Sequence, residues 1–312
     1  MTHTDDGLEP PERLVRTLSS DPAYAGEAAR RWLAALPGLV RDCLERWALT
    51  CERVQEPGGR TSMVVLVRQS DGTPATLKLG FPDGTPEREH AALGIWDGRS
   101  AVRVLRAEPE AGALLLERLH GDVSLRSLAE SKAQLEAAAT LQRLWVPPPS
   151  GAHPFPTVAE HTAALAERMR RHREQPWAAD ARAMVDEALD LRDGLVAGPD
   201  PAPALLHGDY EQGNVLAADR APWLAVAPRP LVGDRAYDLA WLVRDRLDTL
   251  LAAPGAAAAA RRRVTKLADS LDVDPDRLRA WSVFRATEAG LHTVSLGARP
   301  AGELLLEFAT SL

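Results

Sequence analysis

The feature that most constrains the fold is a change of hydrophobic period along the chain. From Glu27 to Trp47 the apolar residues Trp32, Leu33, Leu36, Leu39, Val40, Cys43, Leu44 and Trp47 recur every three or four positions. That is the stripe of an amphipathic helix, with Pro37 predicting a break or a second start. In "SMVVLVRQ" (62–69) and "ATLKLGF" (75–81) the helical period is lost, and the turn residues "DGT" (71–73) lie between the two runs. This reads as two strands and a hairpin. "PEREHAALGIW" (86–96) is helical again, Pro86 being suited to a first turn. "AVRVLRAE" and "GALLLERL" then form a second strand pair. The front of the chain is therefore expected to be a small sheet with a helix laid across it.

Beyond Ser124 the pattern is mainly helical, over 124–144, 157–173 and 179–196 and again from Asp238 onward. A polar segment and two short strands, "VLAA" and "WLAV", interrupt it. The Ala run at 256–260 favours helix and reads as structural filler. The expected fold is α+β with two lobes: a small strand-rich N-lobe with a helical extension, residues 1–118, and a larger helical C-lobe, residues 119–312. At 312 residues the chain can enclose two such cores. Residues 1–25, rich in Pro, Asp, Ser and Glu, are expected to be loosely attached.

Composition narrows the function. The net charge of −7 argues against a nucleic-acid partner and suits a cationic ligand. No apolar run is long enough to cross a bilayer, and "MTHTDDGLEPPERL" lacks the basic flank and apolar core of a signal peptide. Two cysteines, Cys43 and Cys51, are too few for a disulfide scaffold, so a reduced, cytoplasmic protein is expected. The eight histidines show no zinc-binding spacing. Nothing points to an obligatory protein partner.

The segment "HGDYEQGNVL" (207–216) has neither helical nor strand period. A carboxylate at Asp209 is suited to orient a substrate hydroxyl and accept its proton. A neutral oxygen at Asn214 is suited to magnesium. Phosphoryl transfer needs both an oriented nucleophile and positive charge on the phosphate. Alone, the pair reads more readily as a turn bonding its own backbone. Lys78 stands within an apolar strand, where a charge needs a partner or a cleft, and Glu89 on the following helix is placed to pair with it. The alternatives are an outward strand position for Lys78 and a solvated helix position for Glu89. "PGGRTS" (57–62) suits a loop over phosphates or a plain hairpin turn, and "LLLERL" (114–119) a link between lobes. Glu211 and Glu288 are acids placed to meet a cationic substrate, although each alone reads as a surface acid. "RRR" (261–263) reads as a solvated face, and Trp241 and Trp281 as core residues.

Taken together, "LHGDYEQGNVL", "PWLAVAPRPLVGDRAYDLAW", "LKL", "EHAALGIWDGRSAVRVL" and "GALLLERL" resemble the aminoglycoside phosphotransferases. Within them they are most similar to the streptomycin 6-kinase and hydroxyurea kinase branch. The resemblance extends from "RWLAALPGLV" to "AWSVFRATEAG". It implies a protein-kinase-like fold and transfer of the γ-phosphate of ATP, with magnesium, to a hydroxyl of a streptomycin-like antibiotic. On that resemblance Asp209 is the catalytic aspartate, Asn214 a magnesium ligand, Lys78 the phosphate-binding lysine and Glu89 its partner. Glu117 and Leu119 belong to the link that meets the nucleotide through backbone groups. His207 shapes the loop and Asp238 braces it.

One position departs from the pattern. The strand after the loop reads like "WLAIDPKP" in that branch, and its aspartate holds magnesium; here it is "WLAVAPRP", with Ala227 in that place. A methyl group offers no ligand atom. A loss of ~3–5 kcal/mol of transition-state stabilisation would slow turnover by about 10²–10⁴-fold. Three readings stay open: an introduced substitution, a natural change in a protein that binds without catalysing, or compensation by Asp234 or Glu211. The expected function is thus an aminoglycoside phosphotransferase that is weak or inactive as written. The alternatives are a non-catalytic binder of nucleotide or antibiotic, and a kinase of another small hydroxylated compound.

Overall fold

Two helices precede the first strand, and they are built into the core. The structure is a computed structural model that describes residues 7–198, 203–252 and 254–312. Helix α1 is Glu12–Ser20 and α2 is Glu27–Arg46. Leu14 and Leu18 of α1 are buried with Trp32, Leu36, Val40 and Cys43 of α2 against Val65, Leu77, Leu79 and Leu115 of the sheet. The expectation of a loosely attached segment therefore fails from Glu12 onward, because two leucines four residues apart dock one helical face; residues 1–6 lie outside the described chain. Pro37 does not break α2 either. Trp32, Leu36, Val40 and Cys43 bury one continuous face through it, and that burial offsets the lost backbone bond.

The sheet comprises β1 (Thr50–Val54), β2 (Ser62–Arg68), β3 (Pro74–Gly80), β4 (Val104–Glu108) and β5 (Ala113–Glu117). Its order is β1-β2-β3-β5-β4, every pairing antiparallel. Helix α3 (Thr85–Trp96) follows β3. Strand β1 was absent from the sequence expectation; with both acid and base in "TCERV", its alternation is too weak to read. Cys43 is buried, Cys51 half-buried, and both are free thiols.

The residues up to His120, with Ala218–Arg220, cluster as one unit, and Gly121–Ala217 with Ala221–Leu312 as a second. In the second unit β6 (His120–Ser124) leads to α4 (Glu130–Leu144), so the helix expected from 124 starts later. Helix α5 (Val158–Arg173) opens with a capping box in which Thr157 and Glu160 satisfy each other's backbone N–H. Then come α6 (Arg182–Ala197), β7 (Ala204–Leu206), β8 (Val215–Ala217), β9 (Trp223–Ala225) and β10 (Leu231–Gly233). The chain ends with α7 (Arg235–Val243), α8 (Leu247–Ala252), α9 (Ala256–Leu271), α10 (Pro275–Ser295) and α11 (Arg299–Ser311). Strands β6, β8 and β9 make one small sheet in that order, and β7 pairs antiparallel with β10.

Helix α10 is the spine of this unit, with Trp281, Phe284, Ala286 and Leu291 buried. It begins at Asp274, whose carboxylate accepts from the N–H groups of Asp276 and Arg277. The triple arginine of α9 is not uniformly solvated: Arg263 is buried and donates to the carbonyls of Val243 and Asp245 at 3.2 and 2.6 Å. Those carbonyls lie at the end of α7 and just past it, where the helix supplies no backbone donor.

Candidate active site

In the first unit the alternation of β3 sends Ala75, Leu77 and Leu79 into the core and turns Lys78 to the opposite face. There its Nζ stands 2.6 Å from both carboxylate oxygens of Glu89 on α3. Glu89 is only 2% exposed, so it is no solvated surface acid. A carboxylate that deep is tolerated only with a cation against it. The pair leaves the lysine ammonium fixed in place and partly exposed.

The 57–62 connection joins β1 to β2 and is tied down at both ends. Arg13 of α1 donates to the Gly58 carbonyl at 3.4 Å, and the Phe81 N–H donates to the Thr61 carbonyl at 2.8 Å. Glu117 has its carboxylate occupied: it accepts from the Arg103 N–H at 2.7 Å and from Arg220 Nε at 2.8 Å. Leu119 is buried. Arg118, unremarked in the sequence, clamps the strands by donating to the carbonyls of Ala75 and Val67.

In the second unit the 207–216 segment links β7 to β8 and is held mainly by its backbone. Asp238, fully buried on α7, accepts from the N–H of His207 at 2.9 Å and of Gly208 at 2.8 Å. Trp145 Nε1 adds a third bond to the same carboxylate at 3.2 Å. Gly208 has φ +78, and a Cβ there would lie 1.8 Å from the Arg229 carbonyl oxygen, so only glycine fits. The Arg229 N–H returns a bond to the His207 carbonyl at 2.8 Å. His207 is fully buried, and its Nε2 lies 3.1 Å from the Val226 carbonyl.

This bracing presents Asp209 half-buried, its carboxylate without a hydrogen bond or ion pair among the described residues. Asn214 Nδ2 donates to the Asp209 carbonyl at 2.8 Å, which leaves Asn214 Oδ1 as the oxygen available to a cation. The Val226 N–H donates to the Asn214 carbonyl, bringing the "VAP" corner against the loop. Ala227 sits at that corner with φ +54, a left-handed conformation that alanine disfavours and that Asp, Asn and Gly accept more readily.

Both candidates for compensation already have partners. Asp234 caps α7 through the Ala236 N–H and accepts from Trp281 Nε1 and Arg277 Nε, each at 2.8 Å. Glu211 is held by Arg126 at 3.3 Å. Among the described residues no group of three or more His, Cys, Asp or Glu side chains is arranged to hold a metal ion. Asn214 Oδ1 is therefore the one protein ligand this corner offers, where magnesium is ordinarily held by one or two carboxylates together with substrate phosphates.

Several residues around the loop carry no readable sequence signal. Asp245, just past α7, is buried and accepts from the Gln212 N–H at 2.9 Å; burial pushes its carboxyl up to about 6. Arg246 donates to Gln212 Oε1 at 2.9 Å and to the Leu128 carbonyl at 3.0 Å. Tyr210 is fully buried and donates to the Ala137 carbonyl at 2.8 Å; burial raises its hydroxyl well above the usual phenol range. Glu288 is 9% exposed and bonded to Arg168 of α5, so it is no plain surface acid. Trp241, expected in the core, is half-buried and donates to the Gly208 carbonyl at 3.0 Å, whereas Trp281 is buried as expected.

Residues 46–297 match the family model of the aminoglycoside/hydroxyurea antibiotic resistance kinases. The chain belongs to that family. It is 35% identical over 301 residues to a streptomycin 6-kinase of Streptomyces griseus, covering 94% of each chain. It is 33% identical over 282 residues to the Streptomyces glaucescens streptomycin 6-kinase, covering 87% of each. A hydroxyurea phosphotransferase of Kitasatospora aureofaciens is 36% identical over 284 residues, 88% of this chain and 78% of that one. The fold is protein-kinase-like. The aminoglycoside phosphotransferase APH(4)-Ia, solved as a ternary complex with AMP-PNP and hygromycin B, superposes with a TM-score of 0.57 at 18% identity. That match covers 87% of this chain and 97% of the other. The choline kinase LicA of Streptococcus pneumoniae gives 0.61 at 13% identity, covering 88% and 99%. No helix among the described residues of this kinase is long and apolar enough to cross a membrane.

Proposed function

We propose that this kinase transfers the γ-phosphoryl group of ATP to a hydroxyl of a streptomycin-type aminoglycoside, slowly because of Ala227. The observation that carries the reading is the Asp209 carboxylate, unengaged on a loop whose backbone Asp238 pins with two hydrogen bonds. Matching over 94% of both chains with the Streptomyces griseus streptomycin 6-kinase supports the substrate class, as against 78% of the hydroxyurea phosphotransferase. Complexes of a fold relative with AMP-PNP and with ADP support ATP as donor.

In this reading Asp209 orients the acceptor hydroxyl and takes its proton as the oxygen attacks the γ-phosphorus; the bond to the β,γ-bridging oxygen breaks and ADP leaves. The proton then passes from Asp209 to solvent. Lys78, held by Glu89, meets nucleotide phosphate oxygens. Asn214 keeps the loop closed by donating Nδ2 to the Asp209 carbonyl, and its Oδ1 stays available to a cation. With Ala227 a magnesium ion arriving with the nucleotide would keep Asn214 Oδ1 but lose a carboxylate anchor, so it would neutralise charge on the phosphate less well. The product is an antibiotic phosphate ester.

The test is ATP-dependent phosphorylation of streptomycin, followed by ADP release and by the mass of the product. Slow, nucleotide-dependent formation of one phosphate ester is expected. Ala227 also favours a second reading, a non-catalytic binder. A thermal-shift titration separates the two: stabilisation by antibiotic with none from ATP and magnesium, and no ester formed, would replace the transferase by the binder.

A further inference from the structure

Arg285 of α10 is a buried cation without a carboxylate. It is 7% exposed, and it makes no ion pair among the described residues. Its guanidinium lies 4.2 Å from the ring centroids of both Tyr237 and Trp241, which stand four residues apart on α7 and so share one face of that helix. Its hydrogen bonds go to backbone oxygens: Nη1 donates to the Tyr237 carbonyl at 2.7 Å and Nη2 to the Gly208 carbonyl at 3.3 Å. Burial lowers the guanidinium from its usual range, while Tyr237, Asp238, Asp209 and Glu288 nearby hold it up. Packing alone would be served by an apolar chain of similar volume, at less cost in desolvation. A charge kept there at that cost calls for a role beyond packing.

The role follows from what Gly208 needs. Gly208 directly precedes Asp209 and has φ +78, and glycine is the residue whose backbone turns most freely. Its N–H is held by Asp238 at 2.8 Å. Its carbonyl is held by two donors, Trp241 Nε1 at 3.0 Å and Arg285 Nη2. That carbonyl belongs to the peptide plane that ends at the Asp209 Cα, so its direction helps to set the direction in which the Asp209 side chain leaves the loop. The two donors also support each other, since Arg285 packs on the ring whose N–H is the second donor. Arg244 lies over the same ring, 3.6 Å from its centroid, so two guanidinium groups bear on the indole.

We propose that Arg285 is a positioning residue for phosphoryl transfer: with Trp241 it holds the Gly208 carbonyl and so fixes the peptide plane that presents Asp209, a role that rests on the transferase reading of Asp209. Asp209 meets the acceptor hydroxyl, and Arg285 acts on it through the backbone. The link runs from α10 to the loop within the second unit, over a sequence separation of 77 residues.

The full-length protein is compared with Arg285→Met, Arg285→Lys and Trp241→Phe by initial rates with streptomycin and ATP, well below the thermal midpoint of each variant. A misdirected carboxylate slows the chemical step and leaves binding intact. Arg285→Met is therefore expected to lower kcat about ten- to a hundredfold, while KM for both substrates stays within about twofold. Arg285→Lys, which keeps a charged donor on a long stem, recovers part of that loss. Trp241→Phe keeps a ring beside both guanidinium groups and removes the Nε1 donor; kcat falls several-fold, and this variant decides the matter if Arg285→Met does not fold. Hydrogen–deuterium exchange over residues 205–214 is read in parallel and quickens in Arg285→Met. An unchanged kcat, or a loss seen in KM alone, overturns the proposal. Exchange that quickens equally throughout α10 marks a merely structural role and overturns it as well. If neither the wild type nor any variant transfers phosphate, exchange decides alone: faster exchange confined to 205–214 in Arg285→Met keeps the bracing role while the transferase reading falls, and unchanged exchange removes both.

Discussion

Replacing Ala227 by Asp, Asn and Gly separates two things that this one residue does. Its φ of +54 places an alanine in the left-handed region, at a cost of about 1–2 kcal/mol. Glycine removes that strain but adds about 0.5–1 kcal/mol of unfolded-chain entropy. Ala227→Gly is therefore expected to gain about 0.5–1 kcal/mol, a rise of about 1–3 °C in Tm for a chain of this size. It supplies no ligand, so turnover should stay within about twofold. Ala227→Asp gains a smaller part of that stability and places a carboxylate beside Asn214, whose carbonyl the Val226 N–H already holds at 2.9 Å. If that carboxylate restores ~3–5 kcal/mol of charge stabilisation on the phosphate, kcat rises about 10²–10⁴-fold. Ala227→Asn, with a neutral oxygen, should fall between. The assay is initial-rate phosphorylation of streptomycin across a magnesium titration, with the thermal midpoint of each variant measured alongside. An Asp variant no faster than the Gly variant would refute the missing-ligand argument, since relief of strain would then account for any gain.

Three further outcomes follow from buried groups. Asp238→Ala strands the N–H donors of His207, Gly208 and Trp145, and should lower unfolding stability by about 3–5 kcal/mol, read from the urea midpoint. Lys78→Met leaves the Glu89 carboxylate buried and unpaired; about 3–5 kcal/mol should be lost, and the double variant Lys78→Met/Glu89→Leu should regain most of the stability without regaining nucleotide affinity. Asp245 is raised from 3.8 to about 6, so the folded state holds its proton longer than the unfolded chain does. Stability attributable to this group therefore falls as pH rises from about 4 to about 6, by ~3 kcal/mol at most, and is constant above that window. Asp245→Asn keeps the acceptor for the Gln212 N–H, and denaturant midpoints measured between pH 4 and 7 should lose that slope.

Much of the fold was legible because it rests on local periodicity. Strands β2 and β3, helix α3 and the pair β4–β5 appear as period changes, and the helical range 157–173 matches α5 to within a residue. The elements that went unread are short or mixed in polarity: β1 carries acid and base, while β7 and β10 are three residues each. The α1 helix was hidden by polar composition, although two leucines on one face suffice to dock it.

By itself the sequence determined the change from strand period to helix period, the polar loop with Asp209 and Asn214, and the alanine at 227, since these depend on residue type and spacing alone. Whether a charged residue is exposed, paired or stranded depends on what other segments bring to it. Tertiary structure alone decided that Glu89 is buried against Lys78, that Arg263 serves the end of α7, and that Asp234 and Glu211 are already engaged. It also decided that Arg244 sits over the Trp241 ring, 3.6 Å from its centroid. The physical reason is the same in each case: a charge is settled by desolvation and by partners far away in the chain, and local spacing carries no record of either.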